Sequence, residues 1–538
     1  MPVFSTFICW ALMISGMYVN AAQDFDIQEY IYQEVALGKK HIDIPLGVYY
    51  LEPGEVAHLT LGGIKDTTVD FNGSEIVCQE NTRAIHIQDC SNLKILNLFI
   101  DYEPKLFTQG VILKITPKTI DLEIQAGYPI DDISPKDADV YDPVSMELKP
   151  GFRTFHDFSQ IEKIGPRALR VHRKRALAMD SFMQVGDIMV LKRKEQRSDG
   201  GIYYPHAVYS FRCRSVRFEN VTVYASNCFS FLDEECSAAE YYRCKVERKK
   251  NDPLVKFPRL RSSNWDAFHS INAEVGPTIM ECQAHHMGDD AVNIRGTYHV
   301  IFPKSKNESI VLAKNACNIR VGDPVEVLSL TGKRIAESKV VAMSKLPAIP
   351  DGLREEALEK LDLIIPSVLH TAWSIELEDE VPFSAMSVIC ATNRMGSGFK
   401  VIGNTFGNNR SRGILCKASN GIIAHNVVHD NGLESLKLTP NIPNWLEGSY
   451  FDNVVVEHNT FRNGKFSHHW GSEDPAPLLI GGCRTGLRFE NNRVEYHTPV
   501  ALRLSDTSRP VLENNQWKYT GNTKRHTHVI YENVESDK

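Results

Sequence analysis

Short runs of alternating apolar and polar residues recur along most of the chain, separated by bends that contain asparagine. The segments Phe218-Glu-Asn-Val-Thr-Val223, Tyr242-Arg-Cys-Lys-Val246, Met280-Glu-Cys-Gln-Ala284 and Val401-Ile-Gly-Asn-Thr-Phe406 share one pattern, which Ala424-His-Asn-Val-Val428, Glu457-His-Asn-Thr-Phe461, Phe489-Glu-Asn-Asn-Arg-Val494 and Glu513-Asn-Asn-Gln-Trp517 repeat. With positions 221, 244, 282, 404, 426, 459, 492 and 515 taken as equivalent, the steps are 23, 38, 122, 22, 33, 33 and 23 residues. Alternation of period two is the pattern of a strand, and a fixed repeat of 22 or 23 residues is that of a solenoid. Val69-Asp-Phe-Asn-Gly-Ser-Glu-Ile76 and Leu93-Lys-Ile-Leu-Asn-Leu-Phe-Ile100 fit the same unit. The leucine spacing of a leucine-rich repeat is absent. The pattern predicts an all-β chain folded as a right-handed parallel β-helix, its coils stacked about 4.8 Å apart with asparagines in register at the bends.

Two stretches, 108–196 and 300–382, break the period. Val185-Gly-Asp-Ile-Met-Val-Leu191 in the first resembles Val321-Gly-Asp-Pro-Val-Glu-Val-Leu328 in the second, a turn leading into an alternating strand. Both read as small inserted β-barrel subdomains, the second with a short helical pattern over 353–363. The solenoid then comprises residues 23–107, 197–299 and 383–538, after an N-terminal signal at 1–22.

Composition narrows the function. Of 538 residues, 42% are hydrophobic and 24% charged, which excludes a disordered, collagen-like or polytopic membrane chain. Lysine plus arginine (60) against aspartate plus glutamate (67) gives a net charge of −7, with no basic run, so a nucleic acid is not an expected partner. The apolar stretch 4–19, followed by Ala21 and Ala22, reads as a secretory signal cleaved nearby, although no Lys or Arg precedes it. Export to the periplasm or medium, without membrane insertion after cleavage, is the expectation; an uncleaved anchor is the alternative. Of 12 cysteines, Cys9 lies in the signal. The other eleven lack CxxC spacing and signal neither a disulfide framework nor a zinc site; Cys228, Cys244, Cys282 and Cys416 read as buried small hydrophobes.

Stacking turns sequence spacing into adjacency. The strands Asp266-Ala-Phe-His269, Asp290-Ala-Val-Asn293, Arg412-Gly-Ile-Leu415 and Glu434-Ser-Leu-Lys437 align so that Asp266, Asp290, Arg412 and Glu434 form one column, with uncharged Asn227, Ala476 and Thr498 at the outer positions. Asp289 adds a third carboxylate. Carboxylates so close repel one another and raise at least one pKa. A glycosidase needs such a pair, one acid to protonate the leaving oxygen and one carboxylate to attack or to activate water. A structural ladder balanced by Arg412, or a calcium site needing about six or more oxygens, are the alternatives. Arg412, Lys417 and Glu434 share the face and are candidates to bind sugar hydroxyls, Arg412 and Glu434 also reading as an ion pair. His269 and Asn293 are further candidates, with an inward, core-polar orientation the alternative. Trp265 is a candidate to stack on a sugar, or to pack in the core. His285 and His286 diverge on a strand and do not read as a metal pair. His468-His-Trp470 reads as a rim to the site or as a solvated loop. No phosphate loop, nucleophilic Ser or Cys constellation, or HExxH motif is present.

Asn264-Trp-Asp266 and Gly288-Asp-Asp290 resemble the Asn-Thr-Asp and Gln/Gly-Asp-Asp motifs of polygalacturonases, inverting β-helix hydrolases, but the Gly-His-Gly and Arg-Ile-Lys motifs that serve a uronic acid are missing. A closer resemblance, over most of the chain and carried by Trp265-Asp-Ala-Phe-His269, Met287-Gly-Asp-Asp-Ala-Val-Asn-Ile294 and Arg410-Ser-Arg-Gly-Ile-Leu415, is to the bacterial exo-α-1,3-galactosidases of glycoside hydrolase family 110. It implies an inverting β-helix enzyme with two barrel inserts that removes terminal α-1,3-linked galactose from blood-group-B-type or linear glycans. Asp289 would be the general acid, with Asp266 and Asp290 holding and deprotonating water. The implied partner is a galactose-terminated oligosaccharide or glycoconjugate, with no cofactor or metal, and with inserts that narrow the pocket or build a homo-oligomer. A hydrolase of another polysaccharide, such as a uronide or sulfated galactan, and a non-catalytic carbohydrate-binding adhesin are the rivals.

Overall fold

The computed structural model describes residues 25–150, 158–174, 183–195, 204–383, 385–466 and 476–535. The expected signal and the motif at 468–470 lie outside the described residues.

Parallel pairing follows the sequence period. Val401 pairs with Ile423, Ile423 with Val456, Val456 with Phe489 and Phe489 with Leu512, which are steps of 22, 33, 33 and 23 residues. The coils stack into a parallel β-helix with two long sheets, of 19 and 12 strands, parallel throughout except for the short strand Glu447–Gly448 in the second. One apolar core runs between them from Ile27 to Leu504. The helix Ile27–Ala36 buries Ile27 and Ile31 against the first coils, and its N-cap Asp26 accepts a hydrogen bond from the Glu29 amide at 2.9 Å. It thus closes the N-terminal end of the stack, where unpaired strand edges would otherwise lie open.

The bend has a specific physical basis. Arg243, Glu281, His425, His458, Asn491 and Asn514 are left-handed, with φ between 52° and 57°. Each precedes one of the aligned positions. A sharp bend of this kind leaves an inward backbone N–H that needs a partner, and the next residue's neighbour one coil along supplies it. The amide and Nδ2 of Asn404 both donate to Asn426 Oδ1 at 2.9 Å, those of Asn426 to Asn459 Oδ1 at 2.9 Å, and those of Asn459 to Asn492 Oδ1 at 3.0 Å. Asn515 ends the row, and Cys282, whose amide donates to Asn404 Oδ1 at 2.7 Å, begins it. Asn459→Ala strips the buried Asn426 donors and the Ile423 carbonyl of their partners. We expect a loss of roughly 3 kcal/mol or more, read from the denaturant midpoint; a loss below about 1 kcal/mol would contradict a supporting role for the ladder.

The two period-breaking stretches carry their own antiparallel sheets. From His299–Pro303 to Ser387–Ala391, six strands close into a barrel, with the helix Leu353–Lys360 in one connection. From Phe107–Ile115 to Ile188–Arg193, six strands form a sheet around a second core. Among the described residues its edge strands, Phe158–Gly165 and Ile133–Tyr141, each carry a bulge and pack against one another without a ladder between them. The repeated turn motif is structural. Asp187 and Asp323 each accept a hydrogen bond from the amide three residues earlier, at 2.8 Å, beside glycines with φ of 99° and 91°. All eleven described cysteines are unpaired, and all but Cys317 are buried.

Candidate active site

Four consecutive strands of the 12-stranded sheet build the site: Phe268–Ile271, Val292–Thr297, Ile414–Lys417 and Leu436–Leu438. Phe268, Val292, Ile414 and Leu436 pair in register and point into the core. Alternation then sends His269, Asn293, Leu415 and Lys437 to the outer face, and beyond them Arg295 and Lys417. The ladder continues into the preceding turn, where the amides of Ala267, Ala291 and Gly413 donate to the carbonyls of Asp290, Arg412 and Glu434 at 3.0 Å. Asp266, Asp290, Arg412 and Glu434 therefore stack in one column. Its neighbours differ from those read by spacing. Pairing of Phe231 with Phe268 puts Phe229, not Asn227, beside Asp266, and pairing of Leu478 with Leu502 puts Val500, not Thr498, beyond Ala476.

One carboxylate oxygen from each of Asp266, Asp289 and Asp290 lies within 4.8 Å of the others. Asp266 accepts the Asp290 amide at 3.1 Å and faces His269 Nδ1 at 2.7 Å. Arg295 Nε donates to the other ring nitrogen of His269 at 3.3 Å, so Nδ1 carries the proton and donates to Asp266. Burial, then the Arg295 charge, holds the His269 pKa well below that of a free imidazole. His269 is thus outward and tied to an acid, not a core group. Asp290 accepts the Arg412 amide at 2.8 Å and its guanidinium at 3.4 Å.

Asp289 sits at the bend after Gly288. A Cβ at position 288 would stand 2.4 Å from the Asn264 carbonyl oxygen, so only glycine allows the coils to approach there. The Asp289 side chain is 22% exposed, against 3% for Asp266 and 4% for Asp290, and its nearest cation is Arg410 at 3.9 Å. Burial and then the charges of Asp290 and Asp266 push its pKa well above the usual carboxylate range, against the pull of Arg410 and Arg412. Burial and Asp290 do the same to Asp266. Three oxygens with guanidiniums beside them make a poor calcium cage, which takes about 6–8 oxygen ligands.

The other candidates divide. Glu434 accepts from Arg412 at 3.1 Å and Lys465 at 2.6 Å. Burial alone would raise its pKa, but Arg412, then Lys437 and Lys465, hold it well below the usual range. Lys417 does not reach Glu434; it donates to Glu447 at 2.8 Å. Asn293 reaches toward Asp266, and its buried Oδ1, like Trp265 Nε1, has no protein partner, which a hydroxyl or water would satisfy. Lys192 of the first insert stands 4.7 Å over the Trp265 ring, whose edge meets Phe229 at 5.9 Å, so the ring is packed between neighbours. Phe229 continues as an aromatic row, stacked on His269 at 4.2 Å and His206 at 5.1 Å. The rings of His285 and His286 stand 6.2 Å apart, and His286 pairs with Glu147 at 3.1 Å.

Sequence reasoning missed Glu447, which gathers Lys417, Arg295 at 3.1 Å and Lys314 at 3.2 Å. Glu447–Gly448 pairs antiparallel with Gly296 and Thr297 from an excursion outside the repeat, so no periodic signal marks it. Arg410 was visible only as part of a motif. A cleft of about 610 Å³, lined by residues of 247–259 with Gln283, His285 and His286, opens elsewhere and includes none of the three acids.

The arrangement can give and take protons beside a bound hydroxylated ligand. No family profile matches the chain. It is 21% identical over 438 residues to an alpha-1,3-galactosidase B of Bacteroides thetaiotaomicron, covering 77% of this chain and 66% of that protein. It is 19% identical over 517 residues to an alpha-1,3-galactosidase B of Akkermansia muciniphila, covering 89% of this chain and 59% of that one. The chain thus spans 66% and 59% of the length of these relatives. Among solved structures it is similar to an endo-xylogalacturonan hydrolase of Aspergillus tubingensis, with a TM-score of 0.38, 8% identity, and coverage of 95% of this chain and 97% of that one.

Proposed function

We propose that the chain is a glycoside hydrolase that removes terminal α-1,3-linked galactose, in the manner of family 110, with inversion of configuration. The observation that carries this reading is the cluster of three aspartates, two of which, Asp266 and Asp290, stand in a column with Arg412 and Glu434. Asp289 is the most exposed of the three, and its raised pKa keeps the proton that a leaving oxygen needs. Asp266 and Asp290 hold the attacking water. One oxygen of each aspartate lies within 4.8 Å of the others, close enough for one water to donate to two of them. His269 orients Asp266, and Arg412, Glu434, Lys417 and Asn293 receive the sugar hydroxyls. Trp265 walls the aromatic side. The relatives' names support the galactoside.

The closeness of the three carboxylates favours a second reading. Retaining enzymes keep their carboxyls about 5–5.5 Å apart and inverting ones about 6.5–9.5 Å, so an aspartate acting as nucleophile is the rival mechanism. The test of the activity is galactose release by the purified chain from linear and fucosylated branched α-1,3-galactosyl oligosaccharides. Release by the wild type, and none by a folded Asp290→Asn chain, is expected; no release from either substrate would overturn the reading.

A further inference from the structure

On the outer face beside the column, cations outnumber carboxylates among the described residues. Glu434 takes Arg412 and Lys465, and Glu447 takes Arg295, Lys314 and Lys417. Among the described residues two carboxylates therefore answer five cations, one of which, Arg412, also serves Asp290. A sixth cation, Lys437, makes no hydrogen bond or ion pair with any described residue. It is half-buried on the outer face, since Leu436 and Leu438 on either side of it point into the core, and its ladder neighbours are Leu415 and Leu479. Burial, then Arg412, with Lys417 and Lys465 also opposing, pushes its pKa down to about 8, and Lys314 is pushed down to about 7. Partial neutralisation of Lys314 still leaves an excess of cations in a partly buried place, which is unfavourable without an anion.

We propose that Lys437, with Arg412 and Lys465 beside it, forms a subsite for an anionic substituent on the saccharide, a sulfate ester or a uronate carboxylate, next to the bond that is cleaved. The inference rests on the glycoside hydrolase reading and narrows its substrate class. An ammonium with three rotatable donors suits the tetrahedral oxygens of a sulfate, whereas the Arg412 fork is already engaged by carboxylates.

The experiment compares kcat/KM for α-1,3-galactosyl disaccharides whose second sugar is neutral, sulfated or a uronate, using the wild type, Lys437→Met and Lys437→Arg. We expect the wild type to prefer one charged substrate by roughly 10- to 100-fold. The charged arm that is preferred identifies the substituent. Lys437→Met should abolish the preference and Lys437→Arg should keep most of it. Hydrolysis of all three at equal rates, or a preference that survives Lys437→Met, would overturn the subsite while leaving the hydrolase reading intact. If no disaccharide is cleaved, the hydrolase reading fails, and calorimetry with inorganic sulfate decides the subsite: weaker binding to Lys437→Met supports it, equal binding overturns it.

Discussion

Asp289→Asn should lower hydrolysis of a natural α-1,3-galactosyl glycan by roughly 10²- to 10⁴-fold and hydrolysis of an aryl α-galactoside by far less. A sugar alkoxide leaves poorly and must be protonated as the bond breaks, whereas a nitrophenolate leaves unaided. Asp289 fits the donor because burial and its two acidic neighbours raise its pKa well above the usual range. The sign with pH follows. The acid works while it holds its proton, so activity on the natural glycan falls as pH rises through the raised pKa, and that basic limb should be missing on the aryl substrate. Equal losses on both substrates would remove Asp289 from the acid's role.

Arg412→Met should destabilise the chain by roughly 3–5 kcal/mol, because it leaves buried charges without their partner. Arg412 stands between Asp290 and Glu434 in the column and hydrogen-bonds both. Glu434→Gln in the same chain should restore part of the loss, since it removes one of the two stranded carboxylates. The pH profile carries its own sign. The Glu434 pKa is depressed in the folded chain, so its contribution to stability is present above the ordinary carboxylate pKa and is lost as pH falls through the depressed value. Arg412→Met should flatten that acid-side loss. A midpoint shift worth under about 1 kcal/mol, or no recovery with Glu434→Gln, would show that the column does not hold the coils in place.

The acid column was legible because a solenoid makes residues one period apart into neighbours. The steps 266 to 290 and 412 to 434 needed no side-chain information, and the asparagine row at 404, 426, 459, 492 and 515 follows from the same count. Counting failed where turns vary in length. Leu478 and Leu502 pair across 24 residues, which moves Val500 into the place assigned to Thr498. It failed again where a chain excursion returns to the sheet from outside the repeat, as Glu447 does. The bulges at Phe158/Gln160 and Leu191/Arg193 in the first insert are not encoded by alternation of apolar residues either. The outward direction of His269 was open in the sequence because a strand offers two faces; Phe268 in the apolar core and the contact of His269 with Asp266 resolve it.

The most direct measurement is proton NMR of galactose as it leaves a terminal α-1,3-galactosyl glycan, watched before mutarotation scrambles the anomers. Direct attack by a water held between Asp266 and Asp290 predicts that β-galactose appears first. Initial α-galactose would contradict the account, making one of these aspartates a nucleophile that passes through a covalent galactosyl intermediate.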